Sequence, residues 1–247
     1  LTFTSGNWDS AQTVTITGIN DDLVDGSQTT TITLSVVDGS SDNDFDGISD
    51  QTVSVTTTNT DVAGFTIIES GGSTTVAESE STDDFTVVLD AQPTSDVVLS
   101  VSSGDTGEAT VSPATLTFTS GNWDSAQTVT ITGANDSLID GSQTTTITVS
   151  VVDESSNDSF DSLADQTVSV STADDDTAAF TVTQSDGSTS VDESGSTDTF
   201  TVVLDAQPTS DVVLSVSSGD TGEATVSPAT LTFTSGNWDS AQTVTIT

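Results

Sequence analysis

Residues 116–132 read LTFTSGNWDSAQTVTIT, and the same seventeen letters open the chain at Leu1 and close it at Leu231. Within this stretch LTFT and QTVTIT alternate apolar residues with threonine, the period-2 signature of strands with one buried face. Trp8, Trp123 and Trp238 mark the period, since 123 − 8 and 238 − 123 are both 115. A period of that length is too long for a solenoid unit and fits one small domain per repeat. The identity also extends outward, because residues 85–132 reappear letter for letter as 200–247.

The period divides the chain into 1–60, the second half of one repeat; 61–175, a complete repeat; and 176–247, the first part of the next. Because the sequence starts in mid-repeat, we expect it to be an internal window of a longer periodic protein. Seven strands are predicted in the complete repeat: 64–76 with a break at 71–72, then 84–89, 96–102, 109–119, 127–132, 143–152 and 166–172. Short, evenly spaced strands separated by Asp/Asn/Ser/Gly loops read as an antiparallel β-sandwich, so the fold class is all-β, tandem sandwiches end to end with no helix. Alternate members of each strand form the predicted core: Phe65, Ile67, Phe85, Val87, Leu89, Val97, Leu99, Leu116, Phe118, Val129, Ile131, Ile147, Val149, Val168 and Val170. Trp123 falls in the turn between the 109–119 and 127–132 strands. Its position suits an indole that caps the core, with a sugar-stacking platform as the alternative.

Charge narrows the partners. The 247 residues include 39 acids and no Lys, Arg or His, for a formal net charge of −39. Nothing could neutralise a phosphate, so nucleic acid is excluded, and anionic membrane surfaces are disfavoured. No apolar run approaches the roughly 20 residues of a membrane span. One-signed charge opposes a compact state unless small cations screen or bind it, so cations are the implied partner. There is no cysteine for a disulfide and no lysine for an isopeptide crosslink. A chain without Cys, Met, Lys or Arg also resists thiol and thioether oxidation and cleavage after basic residues, which suits an extracellular protein.

In a seven-strand antiparallel sandwich the first, third and fifth connections and the end of the last strand all lie at one pole. That sorts the acids. The first connection carries Glu78, Glu80, Asp83 and Asp84, the third Asp105 and Glu108, the fifth Asn135, Asp136 and Asp140, and the last strand ends in Asp174, Asp175 and Asp176. Oxygen donors without nitrogen or sulfur select hard cations, and Ca²⁺ is the best candidate. Asp21, Asp22 and Asp25, and Asp192, Glu193, Asp220 and Glu223, stand at the matching offsets of the other copies. At the opposite pole Asp42, Asp44 and Asp46, followed by Gly47, read as the D-x-D-x-D-G opening of a calcium loop. That loop has Val53 at its twelfth position where a glutamate belongs, and the next copy has Asn157, Ser159 and Asp161.

The order Val76-Ala77-Glu78 (again as Val191-Asp192-Glu193), an LTF strand, ITGANDSLIDG and a closing Asp-Asp-Asp resembles the Calx-beta-like, immunoglobulin-fold calcium-binding repeats of giant bacterial surface and secreted proteins. The likeness covers the whole repeat. It implies calcium at the end of the sandwich that faces the next domain, carried over to Glu78, Asp136, Asp140, Asp174, Asp175 and Asp176. At the end of the first repeat Asn59-Thr60-Asp61 replaces the acidic triplet, so only Asp61 offers a carboxylate there. The function this implies is a structural stalk or fibre of an adhesin-like extracellular protein, stiffened by calcium between repeats. Its partners are calcium, neighbouring repeats and self-assembly into filaments. The runner-up is a glycan- or protein-binding module built on Trp123. An enzyme is disfavoured, since without His, Cys, Lys, Arg or Tyr only paired carboxylates could act.

Overall fold

The computed structural model describes residues 1–247, and they form an all-β protein. In residues 1–60 only a hairpin forms, β1 (Gln28–Leu34) with β2 (Gln51–Thr57). Nine strands follow: β3 (Phe65–Glu69), β4 (Thr74–Ala77), β5 (Thr82–Leu89), β6 (Val97–Ser103), β7 (Ala109–Ser112), β8 (Thr115–Phe118), β9 (Gln127–Gly133), β10 (Gln143–Val151) and β11 (Gln166–Ala173). The rest of the chain holds β12 (Phe180–Gln184), β13 (Asp198–Leu204), β14 (Val212–Ser215), β15 (Val226–Ser227), β16 (Thr230–Phe233) and β17 (Gln242–Ile246).

Strands β3 to β11 make a sandwich of two sheets, ordered β3-β5-β9-β7 and β4-β11-β10-β6-β8. Two of the seven predicted strands are each split between the sheets, giving nine. At residues 71–72 two glycines with φ of 64° and 80° turn the chain, so β3 pairs with β5 while β4 crosses over to lie parallel to β11. At 113–114 Pro113 supplies no N–H for a continuous ladder, and β7 on β9 gives way to β8 on β6. The only helical elements are five 3-10 turns of three residues each. These switching first and fourth strands, with one parallel pairing in an otherwise antiparallel sandwich, are immunoglobulin-like.

Eighteen buried apolar residues fill the space between the sheets, among them every predicted core residue except Ile67, which is half-buried against it. Phe160 was not predicted and is fully buried. It enters from the β10–β11 connection, where buried Asn157 donates to the Thr94 and Ser95 hydroxyls.

The three copies of LTFTSGNWDSAQTVTIT differ in structure. Residues 116–132 contribute β8 and β9, and Leu116 and Phe118 are 2% and 0% exposed. Residues 231–247 contribute β16 and β17, with Leu231 and Phe233 buried in a smaller cluster. Residues 1–17 contain no strand, and Leu1 and Phe3 are 68% and 54% exposed. The turn between the strands survives in all three, because Asn7, Asn122 and Asn237 accept from the backbone N–H of Thr4, Thr119 and Thr234. Local hydrogen bonds make the turn, whereas the strands need neighbours distant in sequence.

A candidate cation centre at the repeat junction

Gly133 begins the construction of the site. It ends β9 so close to the β4–β5 turn that a Cβ there would lie 2.1 Å from the Ala77 carbonyl oxygen, so only glycine fits. The Glu78 N–H extends the parallel ladder by donating to the Ala173 carbonyl at 3.1 Å, which seats Glu78 beside the end of β11. Glu78 is 1% exposed and its Oε2 has no hydrogen-bond partner. The Glu108 carbonyl accepts from the Ala134 N–H at 2.8 Å and the Thr172 hydroxyl at 3.2 Å, tying the third connection to both sheets.

Asp174 organises the last two segments. Its Oδ2 accepts from the N–H groups of Asp140 and Gly141 at 3.1 and 2.7 Å, and its Oδ1 accepts from the Asp176 N–H at 2.7 Å. Gly141, with φ 73°, turns the chain beneath it. These N–H groups hold the Asp174 carboxyl below its ordinary range. Around this frame Glu108 Oε2, Asp140 Oδ1 and Asp176 Oδ2 are, like Glu78 Oε2, buried without partners. The carboxylate oxygens of Glu78, Asp175 and Asp176 lie within 4.8 Å of one another.

Such crowding raises the affinity for protons. Burial, reinforced by the charge of Asp136, pushes Glu78 up to about 7, against the Asp175 backbone N–H, which pulls it down. Glu108 is raised by burial and then by Asp140 and Asp105, and Asp176 by burial and then by Asp174 and Asp175. Buried carboxyl oxygens with no donor to satisfy them, and no basic residue anywhere in the chain, fit a hard divalent cation with oxygen ligands. Calcium suits this donor set.

The other predicted acids fare differently. Asp105 is exposed and accepts from the Gly107 N–H, while Asp136 is exposed and accepts from the Leu138 N–H, so both border the cluster. Asp83 turns away to Ser70 and the Thr75 N–H, and Glu80, with φ 62°, and Asp84 are exposed. Asp21 and Asp25 occupy the matching places at the first junction, with Asp22 exposed between them. There Asn59 stands where Asp174 does and donates to the Leu23 carbonyl and Asp25, and Asp61 donates its N–H to Asn59. Glu193, Asp220 and Glu223 are exposed. Asp42, Asp44 and Asp46 are exposed on a 3-10 turn, where Asp42 caps the Asp44 N–H. Trp123 packs half-buried against the core, and its carbonyl accepts from the Leu89 N–H.

A contact between successive repeats was missed in the sequence. Gln92 accepts from the Val24 N–H at 2.9 Å and donates its own N–H to the Asp22 carbonyl at 2.7 Å, with Leu23 bridged to Gln92 as in a parallel sheet. The same pattern recurs 115 residues on, where Gln207 accepts from the Ile139 N–H and donates to the Ser137 carbonyl. At the first junction Val24 and Ala63 pack against the core of the next sandwich. At the second, Ile139, Ala178, Phe180 and Leu204 line a small apolar pocket. The loop that carries Asp136 and Asp140 is therefore also the loop that touches the following repeat. The only sequence signal was the recurrence of Ala-Gln-Pro at 91–93 and 206–208.

No family model matches the chain, and no curated protein matches it in sequence. Solved structures similar to it include the apo-form Calx CBD1 domain, at 15% identity and TM-score 0.32 over 45% of this chain and 98% of that one. Others are the E. coli chaperone DraB, at 9% identity and TM-score 0.34 over 74% and 86%, and domains 4 and 5 of the S-layer protein SbsC, at 23% identity and TM-score 0.29 over 50% and 52%. No helix is long and apolar enough to cross a membrane. The immunoglobulin-like assignment stands on the strand pairing.

Proposed function

We propose that the chain is part of an extracellular stalk or fibre of a bacterial, adhesin-like cell-surface protein, in which calcium bound at each junction fixes one repeat against the next. The repeat units are 1–60, 61–175 and 176–247, the last two joined through Asp174, Asp175 and Asp176. The ligands at the complete junction are Glu78, Glu108, Asp140, Asp175 and Asp176, with Asp136 and Asp105 at the rim and Asp174 holding the frame. The observation that carries this reading is the set of four buried, unpartnered carboxyl oxygens beside the segment that leads into the next repeat. A site dense in acids repels itself when empty and becomes a multidentate anchor when filled. Extracellular modules bind calcium at roughly 10⁻⁴ to 10⁻³ M, so occupancy would follow the medium outside a cell.

Equilibrium dialysis counts the ions, and small-angle scattering with calcium and then chelator reads the junction. We expect bound calcium to be lost in Glu78→Gln/Asp176→Asn, and the maximum dimension of the wild-type chain to change on chelation while its circular dichroism is preserved. No bound calcium, or a maximum dimension indifferent to it, would sink the proposal.

A further inference from the structure

The two junctions seat the same loop on the next repeat with different side chains behind it. At the first, the Val24 N–H donates to the Gln92 carbonyl at 2.9 Å and the Gln92 N–H to the Asp22 carbonyl at 2.7 Å. At the second, Ile139 donates to Gln207 at 3.2 Å and Gln207 to Ser137 at 2.6 Å. Leu23 and Leu138 are the bridged residues. The segments that lead out of each repeat differ, Asn59-Thr60-Asp61 in one and Asp174-Asp175-Asp176 in the other.

That difference reverses the polarity of one set of hydrogen bonds. Asn59 and Asp174 both accept through Oδ1 from the N–H two residues on, Asp61 at 2.6 Å and Asp176 at 2.7 Å. They part at the other end of the side chain. Asp174 Oδ2 can only accept, and it takes the N–H groups of Asp140 and Gly141. Asn59 Nδ2 can only donate, and it reaches the Leu23 carbonyl at 2.9 Å and Asp25 Oδ1 at 3.4 Å. Leu23 is the residue bridged to Gln92, so Asn59 holds the docked residue itself, a bond that a carboxylate cannot offer Leu138. Asp25 is the counterpart of Asp140, whose Oδ1 is buried without a partner. An amide N–H therefore sits on the loop carboxylate at the first junction, where the second leaves that carboxylate open to a cation.

We propose that Asn59 braces the first junction in place of an ion, so that the loop 22–26 stays docked on the next repeat without calcium, and calcium there only tightens a joint already held. Val24 and Ala63 add to the brace by packing against the core of the next sandwich. Thr60 acts in the same direction, because it lacks the carboxylate that Asp175 brings to the second junction, and calcium affinity follows the number of charged ligands. One stalk then carries two kinds of joint, and as calcium falls it loosens first at those that end in Asp-Asp-Asp. This last contrast rests on the calcium reading above; the brace does not.

Amide hydrogen exchange on the whole chain, in calcium and in chelator at matched pH and ionic strength, reads each joint through its own N–H groups: Val24 and Gln92 at the first, Ile139 and Gln207 at the second. In calcium all of them should be protected. In chelator Ile139 and Gln207 should exchange faster, while Val24 and Gln92 keep their protection. Asn59→Asp should cost Val24 and Gln92 on the order of tenfold in chelator, the weight of one net hydrogen bond. The reciprocal variant, Asp174→Asn/Asp175→Thr, should protect Ile139 and Gln207 in chelator and lower the calcium bound in equilibrium dialysis. Unchanged protection at Val24 and Gln92 in Asn59→Asp, or a second joint that the reciprocal variant leaves open in chelator, overturns the proposal even where the wild type binds calcium. A wild type that binds no calcium, with the Asn59→Asp loss intact, supports the brace and sinks the reading of the second junction alone.

Discussion

Phe160 and Phe45 occupy the same place in successive repeats, yet one is fully buried and the other 55% exposed. Phe160→Ala should therefore destabilise the chain by about 3–5 kcal/mol, the usual cost of emptying a buried aromatic site. Phe45→Ala should stay within about 0.5 kcal/mol, as surface changes do. Chemical denaturation of dilute protein distinguishes the two, and equal effects would mean that the first hairpin is packed. Glu78 gives a pH prediction. Its folded pKa is raised, so its contribution is fully present below the unfolded value of 4.5 and is lost as pH rises through about 7. Asp83, lowered mainly by Ser70, works in the other direction, contributing above 3.8 and losing that contribution as acid protonates it. In chelator, then, the melting temperature should fall between pH 4.5 and 7. Glu78→Gln should flatten that fall in chelator and, with calcium present, melt below the wild type. A flat wild-type profile would show that Glu78 is not held in a charge-crowded, dry site.

At the scale of the element, the seventeen-residue stretch separates what is local from what is not. As an isolated peptide it should keep the Thr-to-Asn turn in its NMR contacts and show no β signal by circular dichroism, since residues 1–17 keep that turn without forming a strand; a stable hairpin in water would contradict this. The same distinction explains what could be read from the sequence. Alternation at Phe85, Val87 and Leu89 reveals which face is buried, since that depends on period alone. The crossing of β4 to the second sheet was less visible, because the double glycine marks a break without saying which strand lies beyond it. Phe160 lay in a loop without periodicity, so nothing distinguished it from a solvent-exposed residue. For the candidate site, the alternation of chain direction was enough to bring Glu78, Glu108, Asp140 and Asp176 to one pole. It could not separate Glu78 from Glu80 or Asp83, because that depends on the positive φ at Glu80 and on the Ser70 hydroxyl from the 3-10 turn that follows β3.

Across the whole molecule, the parallel pairing of β4 with β11 has a consequence for force. The strand near the start of the repeat and the strand at its end lie side by side and point the same way. Tension applied to the two ends of the repeat drags β4 back toward its own beginning and β11 onward, along the ladder and not across it. The pairs from Thr74↔Val170 to Ala77↔Ala173 then bear the load together in shear, where an antiparallel hairpin pulled from its open end would unzip one bond at a time. Forced unfolding is governed by the unfolding rate, so this small patch sets the strength of the repeat. Pulling single molecules should give a step for the complete repeat whose full extension, for 115 residues at about 3.4 Å each, approaches about 390 Å. Proline at Val76, which removes a backbone donor from the shear patch, should lower the rupture force far more than proline at the exposed Ser79. Equal forces would place the point of failure elsewhere; unequal ones would describe a strand built to be pulled lengthwise.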